Sequence, residues 1–153
     1  MAAAPPRGAV LVALGAWAAI DRGPVCEALS RSSRAAARGQ PQAVAGFTFA
    51  ADGSRWAEFH ARLSRPARAG SSVILKVGGQ PFLLVSRGAW AWSSGPGQDQ
   101  ALTAALRTGG EMRIETRDLG GARLVDTYRL DGAPTAIDAA AARCALRGAG
   151  KIP

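Results

Sequence analysis

The chain has 153 residues, a hydrophobic content of 48% and a formal net charge of +8. That length matches one domain, and that apolar content excludes a disordered chain. The charge is carried almost wholly by arginine, with Lys76 and Lys151 as the two lysines, and it admits an anionic partner without requiring one. The arginines are spread along the chain, and the densest groups are Arg31, Arg34 and Arg38, then Arg62, Arg65 and Arg68.

Gly8 to Ile20 is an apolar run after Arg7, similar to the core of a signal peptide. Asp21-Arg22-Gly23-Pro24 follows in place of a small-residue cleavage site, and the run falls short of the ~20 apolar residues that span a bilayer. Val10, Leu11, Val12, Leu14, Trp17 and Ile20 fit one buried first strand, with residues 1–8 as a loose leader. An uncleaved anchor is the other reading. An export signal, if the chain is secreted, is then already removed or lies upstream of this start.

Arg22-Gly23-Pro24 turns the chain into a strand over Val25 to Ser30. Arg31 to Gln42 is polar and basic, broken by Gly39 and Pro41, and reads as a loop that serves as a flexible spacer or a binding strip. Ala43 to Ala50 alternates with Phe47 and Phe49 on one face, and Asp52-Gly53 is a turn signal. Trp56 to Ser64 alternates as a half-buried strand. Ala57, Phe59, Ala61 and Leu63 lie on one face; Glu58, His60, Arg62 and Ser64 lie on the other.

Ser72 to Val77 and Pro81 to Ser86 flank Gly78-Gly79, a pair suited to a tight hairpin turn. Ala89 to Ser93 is a short strand that places Trp90 and Trp92 on the same face. Gln98 to Thr108 changes to helical spacing, and Gly109-Gly110 stops it. Glu111 to Asp118 and Arg123 to Leu130 are strands joined at Gly120-Gly121. Pro134 opens a closing helix to about Leu146, with Ile137, Ala141 and Cys144 on one stripe and Gly148 as the stop.

These elements make eight or nine strands and two helices. The fold class expected is mainly β: an antiparallel β-sandwich or a strongly curved sheet, with one internal and one C-terminal helix. Residues 9–148 form a single β-rich domain and 149–153 a C-terminal tail.

The candidate chemistry is sparse. Cys26 and Cys144 form no Cys-x-x-Cys motif, and with one histidine they cannot complete a standard zinc site without carboxylates that the spacing does not indicate. They form either a structural disulfide, which belongs to an oxidising compartment, or two inert buried thiols. His60 falls on a polar strand face, where a histidine is ordinarily solvated. Asp131-Gly132 reads as a turn, and Asp138 as an early-helix residue favoured by the helix dipole. Only a cleft built from Asp126, Tyr128 and Arg129 would favour an enzyme. Trp17, Trp56, Trp90 and Trp92 read as core or sheet-face residues, with an arginine-flanked stacking platform as the sharper alternative. No catalytic, metal or cofactor-binding residue is expected.

Several segments together carry a resemblance. They are Gly15-Ala-Trp17 before Cys26-Glu-Ala-Leu-Ser30; Gly70 to Gly78 before Phe82-Leu; Ala91-Trp92; Ala101 to Leu106 with Met112; and Asp126-Thr-Tyr-Arg-Leu-Asp-Gly132 with Ala136 to Cys144. In this order and spacing the chain resembles the invasion-associated locus B proteins of alphaproteobacteria. The resemblance implies an exported, mostly β protein of the cell envelope, periplasmic, without an established enzymatic activity, and with an envelope or host-surface partner. It carries over Cys26 and Cys144 as a structural pair and no catalytic residue. The alternative is a basic cytosolic module that binds nucleic acid or another polyanion.

Overall fold

The structure, a computed structural model, describes residues 8–150. The strands are β1 (Ala9–Leu14), β2 (Trp17–Asp21), β3 (Val25–Arg31), β4 (Val44–Ala50), β5 (Glu58–Arg62), β6 (Val73–Val77), β7 (Gln80–Arg87), β8 (Trp90–Trp92), β9 (Glu111–Arg117) and β10 (Arg123–Arg129). Helix α1 (Pro96–Thr108) lies between β8 and β9, and α2 (Ala133–Ala149) closes the fold. All ten strands join one sheet in the order β1-β2-β3-β4-β5-β8-β7-β6-β9-β10. Every neighbouring pair is antiparallel. Of the two architectures expected, the curved single sheet is the one found.

The curvature shows in what meets β10. Its outward carbonyls at Thr127 and Arg129, and that of Asp131 just beyond, accept hydrogen bonds from the far end of the sheet. The Ser33 N–H donates to Thr127 at 2.7 Å, Trp17 Nε1 to Arg129 at 2.9 Å, and the Ala16 N–H to Asp131 at 2.9 Å. An open edge strand presents unpaired backbone groups, and here these three carbonyls are occupied without a ladder. Two glycines allow the approach. Gly15 and Gly132 both have positive φ, and a Cβ on Gly132 would strike the Leu14 carbonyl, while one on Gly15 would strike Asp131.

Alternation supplies the core. Phe47, Phe49, Phe59, Leu75, Met112, Ile114, Leu124 and Tyr128 all face inward, and Leu102 and Leu106 of α1 join them. Phe47 and Phe59 are cross-strand partners whose rings meet edge to face at 5.4 Å. Under α2 the sheet offers Ala19, Ala28 and Ala45, and the helix answers with Ala133, Ala136, Ile137, Ala140 and Cys144. Small side chains on both surfaces let α2 lie close to β2 and β3. The Cys26–Cys144 disulfide joins β3 to α2 there, with both residues buried and their Cα atoms 5.9 Å apart. Farther along, Arg147 grips Asp21 through both carboxylate oxygens, at 2.6 and 2.7 Å, and donates to the Gly23 carbonyl at 2.8 Å.

Several expectations are corrected. Gly8 to Ile20 is not one buried strand. Gly15 folds it into the β1–β2 hairpin, and at the sheet edge Val10 and Leu14 are exposed. That split raises the strand number to ten. Strand β5 begins at Glu58 rather than Trp56, because Ala57 takes a positive φ of 51°. Asp138 is the sixth residue of α2, beyond its first turn, and pairs instead with Arg107 of α1 at 2.6 Å. Helix α2 runs through Gly148 to Ala149. The Arg31 to Gln42 segment is a loop as expected, but Gln42 organises it: its side chain accepts from the Ala36 N–H and donates to Ser32 and Arg34. Of the leader, residues 1–7 lie outside the described residues, as do residues 151–153 of the tail.

Two outcomes are expected. The disulfide spans 118 residues, and loop-closure entropy of that length is worth about 4–5 kcal/mol. The Cys26→Ala/Cys144→Ala protein should therefore unfold at markedly lower urea, and a midpoint within error of the wild type would remove the bridge as a source of stability. The second outcome concerns Asp21. The Arg147 guanidinium, helped by the Gly23 N–H, lowers its carboxyl from 3.8 to about 2. A lowered folded-state value makes the contribution of Asp21 complete above 3.8 and lost as pH falls through about 2. The stability gap between wild type and Asp21→Asn should be open at neutral pH and close across that acid window. A gap constant down to pH of about 2 would contradict the linkage.

Candidate binding site on the outer sheet face

The face of the sheet turned away from the helices carries the residues that alternation places opposite the core. Strand pairing arranges them in three rows. The first is Glu27, Thr48 and Glu58; the second is Gly46, His60, Trp92 and Val85; the third is Val44, Arg62, Trp90 and Arg87. They outline a shallow groove of about 690 Å³ lined by Glu27, Thr48, Arg55, Glu58, His60, Arg87, Trp90, Ala91 and Trp92. Gly46 contributes no side chain to the floor beside His60. A Cβ there would collide with the Ala28 carbonyl and crowd Leu29.

His60 is not solvated as expected. Its Nε2 lies 2.9 Å from Thr48 Oγ1, and burial is the main cause that lowers its pKa below the ordinary 6.5. The imidazole is therefore neutral at pH 7. Glu27 accepts from Arg22 Nε at 2.7 Å, and Glu58 from Arg55 at 3.3 Å, so each carboxylate is held by a rim arginine. The Arg62 guanidinium sits 5.6 Å from the ring centroid of Trp90, a cation–π stack that restrains that ring.

The tryptophans divide. Trp17 is in the core and donates to Arg129. Trp56 leans edge-on against Phe49 at 5.0 Å and is 46% exposed. Trp90 and Trp92 are 51% and 36% exposed, and both face the groove. The expected core or sheet-face placement thus holds for Trp17 in the core and for Trp90 and Trp92 on the outer sheet face, where Arg62 and Arg87 flank them.

Other expected groupings do not assemble. Asp126 and Tyr128 point into the interior while Arg129 points out and pairs with Asp131 at 3.2 Å, so the three make no cleft. Asp126 accepts from the Ser64 N–H at 2.9 Å. The Tyr128 hydroxyl is buried without a hydrogen-bond partner among the described residues, and burial raises its pKa. Among the described residues no three His, Cys, Asp or Glu side chains stand close enough to hold a metal ion. No described helix is long and apolar enough to cross a membrane.

Sequence reasoning placed Glu58, His60 and Arg62 on one strand face and Trp90 with Trp92 on another. It missed that β5 and β8 are neighbours, which makes the two faces one site, and it missed Glu27, Thr48, Arg55 and Arg87. The available signal was period-2 alternation in each strand, and no local pattern fixed the strand order.

No family model matches the chain, and no curated protein matches it. Among solved structures the chain is similar to invasion associated protein B from Bartonella henselae, with a TM-score of 0.65 and 18% identity over 86% of this chain and 96% of that one. At that identity the likeness is one of fold. The fold is that of an invasion-associated protein B, as the ordered sequence segments implied.

One measurement tests the state of His60. It is the single histidine, so its ring proton resonances are unambiguous. Their titration midpoint should fall below 6.5. Because the unfolded chain takes the proton first, this group should cost stability as pH drops below 6.5 towards that midpoint. A midpoint at or above 6.5 would mean that the ring is solvated.

Proposed function

We propose that this chain is an exported protein of the bacterial cell envelope, resident in the periplasm, and that it acts by binding through its outer sheet face rather than by catalysis. The observation that carries the reading is the outward position of Trp90 and Trp92 in a fold whose other large aromatics mostly serve the core. Exposed aromatic area in a groove with a few placed polar groups is the usual form of a binding site. The disulfide supports the compartment, because such bonds persist where thiols are not kept reduced. The similarity of fold to invasion associated protein B supports the same placement. Polyanion binding is weaker as a reading for this face, since the groove sets Glu27 and Glu58 beside its arginines, and a polyanion would meet them.

Two experiments examine the two halves. Natively isolated protein, denatured and alkylated, should gain no mass label until reductant is added; labelling of both cysteines without reductant would argue for a reducing compartment. Washed envelope fragments should retain the wild type and hold Trp90→Ala/Trp92→Ala about tenfold less well, the loss typical of removing an aromatic anchor. Both rings are partly exposed, so the variant should keep its fold. Equal retention of the two proteins would remove the outer face as the binding surface.

A further inference from the structure

Resting on the outer face as the binding surface, we infer that its groove takes a neutral oligosaccharide, with pyranose rings stacked on Trp90 and Trp92 and hydroxyls bonded to the flanking carboxylates and guanidinium groups. The charge of the lining selects the class. In the lining, Glu27 and Glu58 face Arg55 and Arg87, with Arg62 stacked on Trp90 beside them, and His60 between them is neutral. A polyanion would meet two carboxylates, and a cation two guanidinium groups. A neutral ligand incurs neither cost.

The polar lining consists of acceptors beside donors. A carboxylate only accepts and a guanidinium only donates, whereas a sugar hydroxyl does both. Adjacent hydroxyls can therefore use both kinds of group at once. The pairings of Glu27 with Arg22 and Glu58 with Arg55 restrain these side chains before a ligand arrives, which lowers the ordering cost of binding. The aromatic spacing fits a chain of rings. Trp90 and Trp92 stand two residues apart on one strand, ~7 Å by strand geometry, and both line the groove. Arg62 stacks over Trp90 and holds it in place. A groove of about 690 Å³ suits a short oligosaccharide rather than a folded partner.

The test uses tryptophan fluorescence of the intact, disulfide-bonded chain titrated with the uncharged tetraacetylchitotetraose and with cellotetraose, and with dextran sulfate as the polyanion. A neutral tetrasaccharide should shift the emission with a dissociation constant below about 1 mM, weaken about tenfold in Trp92→Ala, and weaken also in Glu58→Gln, whose side chain lies at the rim. Its affinity should not change between about 50 and 500 mM salt, because no counterions are released. No response to either tetrasaccharide at about 10 mM overturns the inference. So does a response to dextran sulfate alone that fades steeply with salt. If the sugars fail while envelope fragments still hold the wild type and release the tryptophan double variant, the ligand class is wrong and the surface stands. If the fragments hold both proteins alike, the surface itself is wrong.

Discussion

Three carbonyls on the last edge of the sheet organise this molecule. Thr127, Arg129 and Asp131 accept from Ser33, Trp17 and Ala16, which belong to the opposite end of the strand order. Meeting them requires the ten strands to curl, and the curl creates an inside and an outside. The inside is deep enough to bury Phe47, Phe59 and Tyr128 and to receive two helices. The Gly15 and Gly132 turns set how closely the two ends approach. The Trp17 indole bond to Arg129 makes a core side chain serve the closure as well.

The outer face follows from the same geometry. In a sheet with its helices on one side, alternation sends every second residue to solvent. On β5 and β8 those residues are Glu58, His60, Arg62, Trp90 and Trp92. Hydrophobicity would favour burying the tryptophans, but the period of the strand does not allow it while Ala91 faces the core. Trp90 instead stacks against Arg62, and His60 turns to Thr48.

Much of the fold is legible in the sequence because its signals are local. The Gly78-Gly79 hairpin, the inward Met112 and Ile114, and the change to helical spacing after Gly97 each follow from neighbours in the chain. The site is less legible because it is not local. Its rows depend on β8 lying beside β5, which comes from the β6–β7–β8 meander doubling back across the sheet. The apolar run after Gly8 misleads for a related reason. Hydrophobic content alone reads as burial, yet an edge strand covered on one side leaves Val10 and Leu14 in solvent. His60 misleads in the opposite sense: on this polar face its ring is half-buried and held by Thr48.

The position of the disulfide also sets an order of events. Cys26 lies on the third strand and Cys144 on the last helix. During synthesis Cys26 must wait for the addition of 118 further residues before Cys144 exists to pair with it. Within this sequence the two cysteines allow one pairing. An unpaired Cys26, in chains that stopped early or folded late, can join two molecules instead. The bond therefore acts as a seal on the fold: a chain stopped before Cys144 leaves Cys26 as a reactive thiol, and closure of the bond consumes both sulfurs.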